Sequence, residues 1–193
     1  MINQNQLIIS TIQIHIVEKC KKNDRQAQMQ LYNQYCDGML IVALRFVKDT
    51  MEAEDIVQEA FIKAFSKLDQ YRAEVTFGAW LKRIVINRCI DVLKSKRQRL
   101  IELEEHHLNV VDDYYESEWL VDDSVTIDEV KAAIEQLPEK YRYVVMLYLV
   151  EGYDHQEISE ILNITEVASR TQLSRGKQKL QIALKTEKNG TRS

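Results

Sequence analysis

Several residues near the C-terminus carry side chains that can contact DNA. At about 100 degrees per residue on a helical wheel, one set of polar side chains shares a face: Arg170, Thr171, Ser174, Arg175 and Gln178. Guanidinium, hydroxyl and amide groups hydrogen-bond to base edges and to phosphates. The opposite face is apolar and is expected to pack into a core; it carries Leu173, Gly176, Leu180 and Leu184. For an isolated helix, a solvated basic face would be a better interpretation than a DNA-contacting face. The segment before this helix decides between these two interpretations.

That preceding segment predicts a helix-turn-helix. Asp154 and Glu157 have the spacing of a capping box, which satisfies the free amides at the start of a helix. Asn163 can adopt the positive φ of a tight turn, and Thr165 can cap the next helix. Helix, short turn and helix is the arrangement that lays a second helix in the major groove of DNA. We therefore interpret the polar face as a DNA-contacting surface.

A second candidate DNA-contacting segment extends from Lys82 to Arg99 and contains seven Lys/Arg residues and one Asp. The amide of Asn87 can read a base edge through both donor and acceptor, whereas neighbouring cations hold phosphates but carry less sequence information. Those cations are Lys82, Arg83 and Arg88. The residues at the start of the same helix have the spacing of a buried face, which favours core packing over stacking on unpaired bases: Phe77, Trp80 and Leu81.

No set of residues predicts catalysis or metal binding. The sequence contains no Gly-rich phosphate loop and no His/Cys/carboxylate set with the spacing of a metal site. His106 and His107 are adjacent rather than a helical turn apart, which indicates a solvated pair. Cys20, Cys36 and Cys89 are widely separated, which favours reduced thiols in packed helices over a disulfide framework. We therefore expect a protein that is not an enzyme and that holds no cofactor and no metal.

Composition and charge indicate two helical domains. Five Gly and one Pro among 193 residues favour long helices over a turn-rich sheet protein. The net charge of −4 conceals a polarised distribution, because residues 100–130 contain eleven Asp/Glu and no Lys or Arg. We predict an all-α fold of two small helical domains, residues 1–99 and 128–193, joined by an acidic linker over residues 100–127.

The predicted helices follow from caps, breaks and apolar spacing. In the N-terminal domain, Asp24 is expected to cap a helix, residues 48–50 to interrupt the chain, and residues 71–76 to form a polar loop. The helix between the last two has apolar positions at Ile56, Ala60, Ile62, Phe65 and Leu68. In the C-terminal domain, one helix is expected to begin at Asp128 and stop at Pro138, and the next to end near Gly152.

Residues 1–16 lack the basic segment, apolar core and cleavage site of a signal peptide. No run approaches the roughly 20 apolar residues of a membrane-spanning helix. We therefore expect a cytoplasmic protein without membrane insertion.

Two stretches of the chain resemble conserved domains of the sigma-70 family of bacterial RNA polymerase initiation factors. The second domain is resembled by residues 55–65, 71–72 and 77–84 together with Asn87 and Asp91. The fourth is resembled by Leu137-Pro138, Arg142, Val145, Gly152, Glu157-Ile158, Leu162 and Leu173-Ser174-Arg175. An acidic linker stands where larger members have a third domain, which is typical of the extracytoplasmic-function (ECF) group.

The resemblance implies a factor that binds core RNA polymerase and promoter DNA and promotes strand separation. Asp55, Gln58 and Glu59 are expected to dock on the clamp coiled coil of the largest polymerase subunit, while the fourth domain binds the β flap. Contacts to the minus-ten element are expected from Tyr71, Arg72, Glu74, Thr76, Lys82, Arg83, Asn87, Arg88 and Asp91. Contacts to the minus-35 element are expected from Arg170, Thr171, Ser174, Arg175 and Gln178. An anti-sigma factor is a further partner that the resemblance allows, and the linker is expected to pass through the active-site cleft and RNA exit path.

Some residues depart from the family pattern, and two other functions compete. Ala73, Asn163 and Val167 occupy positions where the family often has Gly, and Gln172 one where it often has Arg. A polymerase-independent helix-turn-helix regulator would explain the C-terminal domain but leave residues 55–91 without a role. A nucleic-acid-processing enzyme would need catalytic groups that the sequence does not assemble. For the linker, simple solubility and flexibility remain the alternative to a role in the polymerase cleft.

Overall fold

The computed structural model describes residues 14–101 and 125–190, and side chains within residues 14–98 and 125–185. Within these ranges the chain forms helices and no strand, which confirms the predicted all-α class. The chain divides into two compact units, Met1–Glu105 and His106–Ser193. This division falls within the predicted linker. Most of the linker, including His106 and His107, lies outside the described residues. No helix of the described residues has the length and apolar character needed to cross a membrane.

The N-terminal unit is built from four helices and one short 3₁₀ turn in its described part. They are α1 (residues 14–21), α2 (Arg25–Val47), α3 (Thr50–Ser66), the 3₁₀ turn Leu68–Gln70 and α4 (Phe77–Ile101). Asp24 accepts hydrogen bonds from the amides of Gln26 and Ala27 at 2.9 and 3.2 Å, so its predicted capping role is confirmed. Asp49 caps α3 by accepting from the Glu52 amide at 2.8 Å. The predicted break is therefore shorter than expected, because Thr50 is already helical.

Helices α2, α3 and α4 bury a shared core against one another. Side chains fully removed from solvent come from each of the three: Leu31, Ala43, Ala53, Ala64, Phe77, Leu81, Val85 and Ile86. Burial stabilises the fold by about 1.5–3 kcal/mol for each large apolar side chain. One predicted core position is wrong, since the side chain of Ile62 is 70% exposed. Leu68 is buried as predicted but lies in the 3₁₀ turn that follows α3.

The C-terminal unit contains α5 (Ile127–Gln136), α6 (Glu139–Val145), α7 (His155–Leu162) and α8 (Glu166–Gly190). A π-helical turn, Met146–Val150, continues α6. Helix α5 starts one residue before the predicted Asp128, because Thr126 and Glu129 form a capping box that the sequence analysis missed. Pro138 precedes α6, and Gly152 has a φ of 78°, so both predicted helix terminators are confirmed.

Helix α8 passes close to α6 at Gly176. A Cβ atom there would lie 2.4 Å from Val145 Cγ2 and 3.3 Å from Tyr141 Cβ, so only glycine permits this approach without movement of the neighbours. Leu173, Leu180 and Leu184 are buried on the same side of α8. The predicted apolar face of this helix is therefore confirmed.

Candidate nucleic-acid and partner interfaces

Helices α7 and α8 form the predicted helix-turn-helix, with each local signal in place. The Glu157 amide donates to Asp154 Oδ1 at 2.8 Å, and the Asp154 amide donates to Glu157 Oε2 at 3.0 Å. Asn163 ends α7 in the left-handed region with a φ of 57°. Thr165 Oγ1 accepts from the Ala168 amide at 3.1 Å and caps α8. The capping box, the turn and the second cap are thus confirmed.

A polar contact between α7 and α8 was not predicted from the sequence. Ser169 is fully buried, and its Oγ lies 2.9 Å from Nδ1 of His155. The His155 ring also stacks on Tyr148, with centroids 5.0 Å apart. Burial lowers the pKa of His155, and the nearby charge of Arg170 lowers it further, so the neutral ring is favoured. His155 and Ser169 thereby join the first helix of the motif to the second.

The polar face of α8 differs from the prediction in its charge. Arg170 is exposed, but its guanidinium donates to Glu166 Oε2 at 2.8 Å, so a carboxylate that the prediction did not include borders this face. Thr171 Oγ1 donates to the Val167 carbonyl at 2.9 Å. The remaining predicted contacts are half-buried along the helix: Ser174, Arg175 and Gln178. An exposed ion pair contributes at most about 1 kcal/mol, so Glu166 holds Arg170 only weakly.

The loop before α4 is anchored at both ends. Tyr71 is only 8% exposed, its hydroxyl donates to the Val75 carbonyl at 2.7 Å, and its ring centroid lies 5.3 Å from that of Trp80. The ring of Tyr71 is thus part of the core and holds the loop, which favours an indirect role for this residue over the expected direct contact with DNA. At the other end, Thr76 Oγ1 accepts from the Ala79 amide at 3.2 Å.

Between these anchors the loop faces solvent. Arg72 and Glu74 are exposed, as is Thr76 at the start of α4. Ala73 has a φ of 58°, a left-handed conformation that glycine adopts more readily. This explains why a glycine would fit the position where the sequence departs from the family pattern.

The predicted DNA-contacting residues of α4 lie at the boundary between core and solvent. Lys82, Arg83 and Asn87 are half-buried rather than fully exposed, and Asp91 is exposed. Arg88 is also half-buried, and its Nε donates to the Glu59 carboxylate on α3. Phe77 and Leu81 are buried and Trp80 is half-buried, so their predicted role in core packing is confirmed.

Helix α3 presents two different edges to solvent. One edge carries Asp55 and Gln58 between two large apolar side chains, Met51 and Ile62, which are 78% and 70% exposed. The other edge faces α4, where Lys96 Nζ lies 2.6 Å from Glu52 Oε1. Glu59 is bonded to Arg88 on the side of α3 that faces α4, and it also lies one helical turn from Asp55.

The edge of α3 that carries Asp55 and Gln58 borders an open groove of about 290 Å³ between α2 and α3. Its walls are formed by Tyr32, Cys36, Asp37, Leu40, Glu54, Val57 and Gln58. Phe61 is a buried residue of α3. Its ring centroid lies 4.8 Å from that of Tyr32 on α2 and 5.9 Å from that of Phe65. The contact between Phe61 and Tyr32 holds α3 against α2.

The thiols and the acidic side chains of the described residues form no metal-binding group. Burial raises the pKa of Cys20 to about 11 and that of Cys89 to about 12. Cys20 and Cys89 are therefore inert core residues, as predicted, whereas Cys36 is half-buried at the groove.

Comparison with known proteins identifies the family. Sigma-70 region 2 matches residues 31–99, and sigma-70 region 4 matches residues 127–180. The ECF RNA polymerase sigma factor SigW of Bacillus subtilis is 32% identical over 177 residues, which cover 88% of this chain and 95% of that protein. The chain belongs to the sigma-70 family. It is an ECF sigma factor, and thus a DNA-binding transcription initiation factor without enzymatic activity.

Other sigma factors show the same similarity in sequence and fold. The sigma-H factor of Pseudomonas aeruginosa is 28% identical over 179 residues, covering 88% of this chain and 92% of that protein. The solved structure of CnrH in complex with the cytosolic domain of CnrY matches 90% of this chain and 97% of that chain, with a TM-score of 0.55 and 21% identity. The structure of RpoE with the anti-sigma factor NepR from Bartonella quintana matches 81% and 96%, with a TM-score of 0.54 and 21% identity. These two structures show that the fold is shared.

Proposed function

We propose that this sigma factor directs core RNA polymerase to promoters by docking through α3, reading the minus-ten element with the N-terminal unit and the minus-35 element with the C-terminal unit. The observation that carries the proposal is the exposed edge of α3. This edge carries Asp55 and Gln58 between solvent-facing Met51 and Ile62, and DNA binding alone does not account for exposed apolar side chains at this position. An edge of this kind is typical of a protein interface, and it lies within the segment that matches sigma-70 region 2.

The docking proposal assigns Asp55, Gln58 and Glu59 to polar contacts with the clamp coiled coil of the largest polymerase subunit. Met51 and Ile62 supply apolar area on either side, and the adjacent groove can receive side chains of the partner. Burial of this apolar area would favour the complex, while lost translational and side-chain freedom would oppose it. Binding of the C-terminal unit to the β flap is part of the same proposal.

At the minus-ten element, the exposed loop residues Arg72 and Glu74 and the α4 face with Asn87 are proposed to capture the non-template strand. Tyr71 acts here indirectly by holding the loop against the core. Flipping a base out of the stack costs a few kcal/mol, which a fitted pocket and cationic backbone contacts can offset without nucleotide hydrolysis.

At the minus-35 element, α8 is proposed to enter the major groove with its polar face towards the bases. Its apolar face is held by Leu173 and Leu180, and its angle to α7 is held by His155 and Ser169. A rigid connection between the two helices favours sequence recognition, because a contacting side chain must be held within a fraction of an ångström.

Regulation and location follow from the same proposal. Related folds were solved as CnrH with the cytosolic domain of CnrY and as RpoE with the anti-sigma factor NepR. We therefore propose that an anti-sigma factor also covers surfaces of this chain, and that the protein acts in the cytoplasm, where polymerase and promoter DNA are found. The acidic linker is proposed to occupy the polymerase cleft.

The test combines binding with transcription. The purified chain is expected to form a stable complex with core polymerase and to direct RNA synthesis from defined start sites. Asp55→Ala with Gln58→Ala is expected to weaken core binding at least tenfold with unchanged helical content, whereas Asp69→Ala, on the exposed 3₁₀ turn, serves as a matched control. Duplex DNA binding without any polymerase complex would instead favour the polymerase-independent regulator.

A further inference from the structure

The edge of α3 that faces α4 borders a second groove, of about 240 Å³. Its walls are formed by Glu59, Ala60, Lys63, Arg88 and Asp91. Arg88 and Asp91 belong to the face proposed to contact minus-ten DNA, and Glu59 to the helix proposed to dock on polymerase. This groove therefore lies where the two proposed functions of the N-terminal unit meet.

The charges around the groove balance in the free chain. Lys63 and Arg88 contribute two cations, and Glu59 and Asp91 contribute two carboxylates. Glu59 is bonded to Arg88 and so occupies a guanidinium that could otherwise hold a phosphate. If a cation of another protein engaged Glu59, the groove would carry one net positive charge and two phosphate-binding side chains.

We propose that this groove is a binding site for one phosphate of single-stranded promoter DNA, which Glu59 blocks in the free chain and opens when polymerase engages Glu59. The inference rests on the proposed function, because it requires polymerase docking through α3. It assigns Lys63 to DNA contact and makes Glu59 a positioning residue that acts through Arg88.

The size of the effect follows from the exposure of the ion pair. The side chains of Arg88 and Glu59 are 38% and 52% exposed, so water screens their attraction. Pairs of this kind change an equilibrium by about two- to fivefold. Because coupling between two binding sites is reciprocal, DNA should strengthen polymerase binding by the same factor as polymerase strengthens DNA binding.

The first measurement uses the full chain and a short single-stranded DNA oligonucleotide of randomised sequence, because a phosphate contact does not depend on the bases. Glu59→Gln should tighten binding of this oligonucleotide about two- to fivefold. The plot of log affinity against log salt concentration should steepen by about 0.7 for the additional phosphate. Adding Lys63→Ala or Arg88→Gln to Glu59→Gln should abolish both the tighter binding and the steeper salt dependence.

Glu52→Gln is the matched control. It removes the same charge from the same edge of α3 and breaks a corresponding ion pair with α4, at Lys96. Oligonucleotide affinity should stay unchanged in this variant. Equal tightening in both variants would show a general charge effect and overturn the proposal, as would wild-type affinity in Glu59→Gln.

The second measurement separates this inference from the proposed function. The oligonucleotide should raise the affinity of the wild-type chain for core polymerase, and of Glu52→Gln equally, but not that of Glu59→Gln. A wild-type chain that neither binds core polymerase nor supports promoter-dependent synthesis would overturn the proposed function. A wild-type chain that does both, with no difference between the variants in either measurement, would overturn the groove alone.

Discussion

At the residue scale, the structure distinguishes side chains that hold a surface from those that form it. Tyr71 was expected to contact DNA, yet its buried ring and its bond to the Val75 carbonyl make it a support for the loop. Ser169 and His155 support α8 in the same manner. Asn87, by contrast, lies at the boundary of core and solvent on α4, where an amide can reach a base edge.

Asn87→Ala should therefore change sequence preference. We expect it to cost about 1–3 kcal/mol at the preferred minus-ten sequence and to flatten discrimination among variants of that element. The measurement is transcription from a library of minus-ten variants at matched occupancy of core polymerase. Arg83→Ala, which removes a phosphate-binding cation, should lower output evenly across the library. An unchanged preference profile for Asn87→Ala would leave the loop of residues 72–76 as the reader of the element.

A second residue-scale prediction concerns the stability of the folded chain at low pH. The folded state lowers the pKa of His155, chiefly through burial, so the unfolded chain binds more protons here as the pH falls through about 6.5. Stability from this residue is present above that pH and is lost below it. Melting temperatures of the full chain should therefore fall more between pH 7.5 and about pH 5 than those of His155→Gln. Parallel profiles for the two proteins would contradict the prediction.

At the element scale, helix contacts depend on residues that local patterns do not identify. Helix α8 approaches α6 closely only because Gly176 lacks a Cβ atom. Gly38, in the middle of α2, has no neighbouring atom within 4 Å of the position that a Cβ would occupy. Helix packing therefore requires glycine at position 176 but not at position 38, although both residues lie inside helices.

Gly176→Ala and Gly38→Ala form a matched pair. Overpacking should make Gly176→Ala less stable by about 1–3 kcal/mol, whereas Gly38→Ala should gain about 0.5–1 kcal/mol from its higher helix propensity. Urea denaturation of the full chain measures both free energies of unfolding. Destabilisation by both changes would mean that glycine at position 38 serves a purpose other than helix geometry.

At the scale of the whole molecule, the sequence was sufficient to predict those structural features that depend on residues close together in the chain. Both the Asp154–Glu157 capping box and the Asn163 turn are hydrogen-bonded within a few residues, and both were predicted. The bonds between Glu59 and Arg88 and between His155 and Ser169 span 29 and 14 positions, and no periodicity reveals them. Ile62 was counted among the apolar positions of α3, although at about 100 degrees per residue it lies on the opposite side of the helix from the buried Ala60.

Because the two units read different elements in the proposed function, their contributions should be independent. Arg175→Ala should cost about 1–3 kcal/mol at the upstream element if it reads a base. Combined with Asn87→Ala, the two losses should add within about 0.5 kcal/mol. Competition between promoter variants for polymerase measures each loss. A combined loss well below the sum would show that one unit positions the other on DNA.

The π-helical turn Met146–Val150 holds one residue more than an α-helical turn of the same rise. Deleting one residue there would leave an ordinary α-helical turn and would change the spacing along the chain between this turn and α7. The stacking of Tyr148 on His155, with ring centroids 5.0 Å apart, depends on that spacing. An insertion or deletion in this turn should therefore be less tolerated than one in an ordinary surface loop, because it would disturb the contact that joins the turn to the start of α7.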